Sequence, residues 1–166
     1  VVGNIKEAVK VLADDYKNRI VLLPSMSTSF GSLNLTVNDD GTVTLNGTND
    51  TGSSAFFSAP ITFPAGAYIF NGMQEIGGTS TYRQELRATP GGSVYQVNDT
   101  ELPTTFERTT SYSGYYSIRI ANGFVANNVV IKPMIALEQL IAVAPDFKVG
   151  APTNRELYQL IRGYHP

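Results

Sequence analysis

The chain has 166 residues, is rich in Gly, Ser, Thr and Asn, and contains only 16% charged residues. This length fits one domain with short additions at its ends, and the composition is typical of short strands joined by many turns. The net charge is −2 and no cluster of Lys or Arg occurs, which argues against nucleic acid as a partner. No apolar run approaches the roughly 20 residues that span a bilayer, so membrane insertion is not expected.

Cysteine is absent, and His165 is the single histidine. Disulfides, thiolate metal sites and Cys nucleophiles are therefore excluded. A catalytic triad that needs His, or a metal site with several His ligands, cannot be built within one chain. The sequence therefore predicts a protein that is not an enzyme, with no catalytic residues, no cofactor and no metal ligands. A structural calcium bound by backbone oxygens stays open, because sequence does not reveal such ligands.

The first segment, residues 1–18, is predicted to form a helix. Asn4 and Glu7 have the spacing of a capping box, and apolar residues follow at helical spacing. These residues are Ile5, Ala8, Val9, Leu12 and Tyr16. A stripe of about three turns is too short for a stable isolated helix. We therefore expect it to pack, either on the domain as a lid or on copies of itself as an oligomerising tether.

From Arg19 onward, the pattern changes to short alternating runs that predict a β-sandwich module over residues 19–135. Runs 33–37 and 42–46 alternate on either side of an Asn-Asp-Asp-Gly turn, which is a strong hairpin signal. About nine or ten strands at spacings of roughly 8–12 residues favour a sandwich or barrel over a parallel sheet. Other predicted strands are 55–59, 67–70, 82–86, 94–97, 104–108, 115–120 and 129–132. Pro133 indicates that the last of these lies at an edge or a bulge.

Residues 136–166 are predicted to form a C-terminal extension with a short helix. Thr153 and Glu156 form a second capping box, and Gly163 is the stop signal. The apolar run from Ile135 to Val143 is consistent with either an extension of the last strand or a short helix. Short helices are thus expected on both sides of the β-module.

An ordered set of motifs runs through the middle of the chain. Its members are FGSLNLTVNDDGTVTLNGT at 30–48, FPAGAYIFNG at 63–72, YSIRIANG at 116–123 and NVVIKPMI at 128–135, with APTNRELY at 151–158. The set covers roughly residues 19–162 and resembles a module of tail and baseplate proteins from phages and prophages of Gram-positive bacteria. That resemblance implies an all-β, jelly-roll β-sandwich of the carbohydrate-binding-module type. Because phage receptor-binding proteins of this kind are commonly oligomeric, it also implies a homo-oligomer, with a trimer as one form.

A carbohydrate site needs flat aromatic faces for stacking and planar polar groups that bind hydroxyls. The predicted strands offer these groups in three places, which supply six candidate ligand-binding residues. The candidates are Tyr82, Arg83, Gln84, Tyr95, Tyr115 and Arg119. The competing interpretation is that each tyrosine is a half-buried wall residue and each arginine is the cross-strand partner of an acid.

Together, the sequence and its resemblance predict a non-catalytic carbohydrate-binding module of a phage virion protein. It would adsorb to host cell-surface polysaccharide from the tail or a fibre of the extracellular particle, with other virion proteins as further partners. The alternative is a structural or decoration protein, such as a head fibre or baseplate spacer, that binds protein. A glycan-processing enzyme ranks third because no pair of acids is marked by its context. The available acids are Glu75, Glu85, Asp99, Glu101 and Glu107.

Overall fold

A computed structural model of the protein describes residues 17–73 and 81–138. Within them, eleven strands and one 3₁₀ turn, Pro24–Met26, form a nearly all-β fold. The strands are β1 (Thr28–Phe30), β2 (Leu33–Val37), β3 (Val43–Thr48), β4 (Ala55–Phe63), β5 (Gly66–Asn71), β6 (Tyr82–Arg87), β7 (Val94–Asn98), β8 (Thr104–Arg108), β9 (Tyr112–Ile120), β10 (Val125–Ile131) and β11 (Met134–Leu137). Residues 1–16 of the predicted N-terminal helix and the helix predicted after Thr153 lie outside the described residues, while Lys17 and Asn18 are described and are not helical.

Three antiparallel sheets contain these strands. Their orders are β1-β2-β3-β10, β11-β5-β8 and β4-β9-β6-β7. The first two sheets are joined where β10 passes into β11, since β10 pairs with β3 and β11 pairs with β5. Between those pairings, the Lys132 amide donates to the Gly72 carbonyl oxygen at 2.8 Å. One length of chain therefore contributes to both sheets.

A single hydrophobic core lies between the sheets, in a sandwich-like arrangement. Alternate residues of β2 and β4 are buried, and in β2 these residues are Leu33, Leu35 and Val37. The core draws on all three sheets, and the Phe70 ring of β5 meets the Tyr116 ring of β9 edge-on at 6.3 Å. Period-two alternation in the sequence thus corresponds to one inward and one outward face on the strands. None of the described residues forms a helix long and apolar enough to cross a membrane.

The predicted hairpin is confirmed, whereas several strand boundaries differ from the prediction: β4 ends later, and β9 and β10 begin earlier, at Tyr112 and Val125. The Asn38 amide donates to the Thr42 carbonyl oxygen at 2.8 Å, which closes the β2–β3 turn. The strand expected to end at Ala59 continues through Pro60, because β4 is an edge strand and can accommodate a residue without an N–H group. The strand before Pro133 is not the last, since β11 follows it and extends the β-structure to Leu137.

The junction between the first two sheets leaves no room for a side chain at Gly72. Its φ angle is +116°, and a Cβ atom there would lie 1.8 Å from the Lys132 carbonyl oxygen. The backbone at Gly72 cannot move away from Lys132 without breaking the hydrogen bond between these two residues. The close approach of the two segments, around Gly72 and around Lys132, therefore requires glycine.

We expect Gly72→Ala to lower the free energy of unfolding by about 3 kcal/mol or more, because it adds a backbone clash to the cost of a positive φ. The matched control is Gly91→Ala, where φ is +68° but no atom lies within 4 Å of the added Cβ. That variant should lose only about 1–2 kcal/mol. Urea denaturation measures both, and equal losses would contradict a sterically closed junction.

Candidate functional site

The outward face of β4, β9 and β6 carries the candidate site. Strand register places Phe56 beside Arg119 and Arg119 beside Arg83, and it places Tyr115 beside Arg87. We call this surface the arginine face. It consists of Phe56, Arg83, Glu85, Arg87, Tyr115 and Arg119.

A buried carboxylate lies at the centre of the arginine face. Glu85 is 0% exposed, and Arg83 donates from Nε to its Oε1 at 2.5 Å. Arg87 donates from its own Nε to Oε2 and from a terminal nitrogen to the Gly92 carbonyl oxygen. Both oxygens of the carboxylate therefore accept charge-assisted hydrogen bonds, as a buried charge requires. This ion pair orients two arginines at once.

Arg87 also covers part of the sheet. Its guanidinium lies over the Phe56 ring, 4.6 Å from the centroid, in a cation–π contact. Since Phe56 belongs to β4 and Arg87 to β6, the contact crosses β9, whose Ser117 is fully buried. The Ser117 hydroxyl donates to the Phe57 carbonyl oxygen at 2.7 Å. The arginine face is consequently a packed layer of side chains with defined positions.

Three of the six predicted site residues lie on the arginine face: Arg83, Tyr115 and Arg119. All three are partly buried, and Arg119 donates to the Ser54 hydroxyl at 3.0 Å. Arg83 and Arg119 are direct cross-strand neighbours, whereas Tyr115 is four positions from Arg119 along β9. That offset corresponds to roughly 13 Å along the strand. An extended ligand along β9 would contact both ends of the face.

Tyr82 and Gln84 point the other way, and their burial removes them from the candidate site. They are 2% and 0% exposed, respectively. Gln84 donates to the Asn98 side-chain oxygen at 3.1 Å and accepts from the Tyr116 hydroxyl at 2.8 Å. Neighbouring residues of a strand face opposite sides, so Tyr82 and Gln84 cannot share a surface with Arg83. These two residues therefore belong to the buried interior and not to the candidate site.

Tyr95 lies in a separate aromatic cluster formed by side chains of β7, β8 and β9. Its ring contacts Tyr112 and Phe106 at centroid distances of 5.5 and 6.3 Å, and the Arg108 guanidinium lies over it at 4.7 Å. The side chain is 40% exposed, and its hydroxyl donates to the Glu107 carbonyl oxygen at 3.2 Å. Tyr95 therefore offers a surface of its own, apart from the arginine face.

The predicted site set omitted three residues of the arginine face: Phe56, Glu85 and Arg87. Glu85 and Arg87 follow Arg83 at positions i+2 and i+4 of one strand, and this spacing alone places all three on one face. Phe56 could not be found in this way. It reaches the site because β4 pairs with β9 and β9 with β6, which no local pattern predicts.

The chemistry of the arginine face is that of hydrogen-bond donation and stacking. Glu85 is the one carboxylate on this face of the three strands, which are fully described, and arginines occupy both of its oxygens. In residues 17–73 and 81–138, no group of three or more His, Asp or Glu side chains could hold a metal ion.

Burial raises the pKa of the Tyr116 hydroxyl, on the inner side of β9, well above its ordinary value near 10.

We expect Glu85→Gln to lower the free energy of unfolding by about 3 kcal/mol or more, because it leaves two guanidinium groups without their countercharge. Glu107→Gln, at an exposed position of β8, is the control and should change stability by about 0.5 kcal/mol or less. Urea denaturation of the two variants measures the difference. Similar small effects would show that the ion pair does not stabilise the sheet.

We expect Tyr116→Phe to change how the free energy of unfolding depends on pH in the alkaline range. A folded-state pKa above the unfolded value stabilises the protein below pH ~10, and this stabilisation is lost as the pH rises toward the folded pKa. The variant should be about 1–3 kcal/mol less stable at pH 7, because the Gln84 oxygen loses its donor. Above pH ~10 its stability should fall less steeply than that of the wild type. Parallel curves from thermal or urea unfolding would contradict this.

Comparison with known proteins assigns no family or function to this site. Neither a protein-family model, nor a curated protein, nor a solved structure matches the chain. The chemistry of the arginine face must therefore be inferred from its own residues.

Proposed function

We propose that this chain is a non-catalytic, carbohydrate-binding module with a jelly-roll β-sandwich fold, carried by a phage tail or fibre protein. Its ligand would be polysaccharide on the host cell surface. The observation that carries the proposal is the arginine face, where an aromatic ring, Tyr115, and the donors of Arg83 and Arg119 share one sheet surface. The motifs that resemble phage tail and baseplate modules support the same assignment.

The arginine face has the properties that sugar recognition needs. The Tyr115 ring is partly exposed and offers an apolar surface to the C–H groups of a sugar. Guanidinium groups supply several N–H donors in one plane, which suits the hydroxyl and ring oxygens of a sugar. Because the Glu85 ion pair fixes Arg83 before a ligand arrives, less conformational entropy is lost on binding.

A non-catalytic role is supported by the arrangement of the acids. Glycoside hydrolysis uses two carboxyl groups about 5–9.5 Å apart, one on each side of the scissile bond. The arginine face has one carboxylate on its three described strands, and both oxygens of Glu85 are engaged by Arg83 and Arg87. A ligand on this surface would be bound and released without covalent change.

The proposed setting is the extracellular virion, with a homo-oligomer formed through the segment 1–18. Single polysaccharide sites are commonly weak, and joining several of them in one particle raises the overall affinity without new contacts. Other virion proteins would contact the module outside the arginine face.

A structural role, in which the module binds protein, is the second candidate. It is favoured by Val21 and Leu23, which are 67% and 51% exposed. Val21 lines a groove of about 350 Å³ between residues 18–22, the β2–β3 turn and Lys132. Exposed apolar side chains beside a groove are typical of a protein contact.

The test is binding of the purified protein to a glycan array and to cell-wall polysaccharide of Gram-positive bacteria. We expect saturable binding that weakens about tenfold in Tyr115→Ala, which removes the stacking surface. Tyr95→Ala is the control, since Tyr95 is an exposed aromatic outside the arginine face. Its affinity should equal that of the wild type.

Two results would count against the proposal. Equal losses of affinity in Tyr115→Ala and Tyr95→Ala would show that binding does not depend on the arginine face. Absence of binding to any polysaccharide, by folded protein in its native oligomeric state, would favour the structural role instead.

A further inference from the structure

Arg83 uses only one of its three nitrogen atoms within the described part of the protein. Its Nε donates to Glu85 Oε1 at 2.5 Å, while no described residue accepts a hydrogen bond from either terminal nitrogen. The side chain is 17% exposed, so it opens onto the outer surface of the arginine face. The two terminal nitrogens form the edge of the guanidinium plane that is suited to a forked contact with two oxygens.

The position of this edge is set before any ligand binds. Glu85 is fully buried and is held through its second oxygen by Arg87. Arg87 is held in turn by the Gly92 carbonyl oxygen and the Phe56 ring. An arginine on an open surface samples many rotamers, and a ligand that orders it must offset that loss of entropy. For Arg83, folding already restricts the rotamers of the side chain.

On the described strands around Arg83, arginines outnumber acids, although the chain as a whole has a net charge of −2. On the outward face of β4, β9 and β6, Glu85 is the one acid beside three arginines. Arg83 lies directly opposite Arg119 in the register of β6 and β9. An anion beside Arg83 would gain favourable electrostatic energy from this guanidinium group.

From this geometry we propose that Arg83 binds an anionic group of the ligand, a carboxylate or a phosphate, through its two terminal nitrogens. The ligand of the arginine face is then an acidic polysaccharide rather than a neutral one. This inference rests on the proposed function, because it names the class of polysaccharide that the same surface takes. Neutral hydroxyls accept single hydrogen bonds, whereas carboxylate and phosphate match the guanidinium fork with two oxygens and a full charge.

The experiment measures dissociation constants for cell-wall polysaccharide of a Gram-positive bacterium in three forms: untreated, carboxyl-reduced and phosphate-stripped. We expect the untreated form to bind most tightly and one of the two treatments to weaken it about tenfold, which identifies the anion as carboxylate or phosphate. Arg83→Gln should weaken binding of the untreated polymer by a similar factor. It should have no further effect on the form that has lost its anion.

Two more variants control for folding and for long-range charge. Arg83→Lys keeps the charge and a donor for Glu85 but lacks the fork, so it should retain the wild-type melting temperature and still lose several-fold in affinity. Lys132→Gln makes the same change in charge as Arg83→Gln at an exposed residue outside the arginine face, and its affinity should be unchanged.

The contrary outcomes separate this inference from the proposal beneath it. Equal affinity for all three forms, with no loss in Arg83→Gln, would overturn the anionic assignment and leave carbohydrate binding intact. A loss in Lys132→Gln equal to that in Arg83→Gln would reduce the effect to net charge and overturn the role of Arg83. Absence of binding to every form would overturn the proposed function, and the inference with it.

Discussion

The buried carboxylate of Glu85, shared between Arg83 and Arg87, is the interaction on which the arginine face depends. Removing a carboxylate from water is costly, and two charge-assisted hydrogen bonds offset that cost. Arg87, held by one of these bonds, also lies over the Phe56 ring, and Arg83, held by the other, keeps its two terminal nitrogens without an acceptor among the described residues. One buried charge thus links β6 to β4 across β9 and gives an otherwise mobile type of side chain a defined position.

The opposite side of β6 is organised by neutral hydrogen bonds. Gln84 accepts from Tyr116 on β9 and donates to Asn98 on β7 and to the Asn71 carbonyl oxygen on β5. The last of these bonds reaches the facing sheet, so it sets the position of β6 relative to the rest of the core. Strand alternation therefore separates two polar systems on one strand, with an ionic one outside and a neutral one inside. The inner system holds the strand from which the outer one projects.

Local patterns in the sequence predict some of this architecture and miss the part that depends on strand pairing. Alternation and turn chemistry predict the β2–β3 hairpin, and the same rule places Arg83 and Glu85 on one face of β6 and Gln84 on the other. The contact between Phe56 and Arg87 depends on the order β4-β9-β6, which joins distant parts of the chain. The path of β4 through Pro60 depends on its edge position in the same order. Pairings of this kind are decided by packing of the whole core, so local patterns could not supply them.

An ionic network is not the arrangement that stability alone would favour on this face. Replacing buried ion pairs by well-packed apolar residues of similar size is often neutral or stabilising by about 1–4 kcal/mol. Apolar side chains at these positions of β6 would avoid placing Arg83 directly opposite Arg119. What they could not provide is an outward donor fork held at a fixed place. This is the physical argument for the proposed binding surface: charged side chains occupy positions where apolar packing would serve stability at least as well.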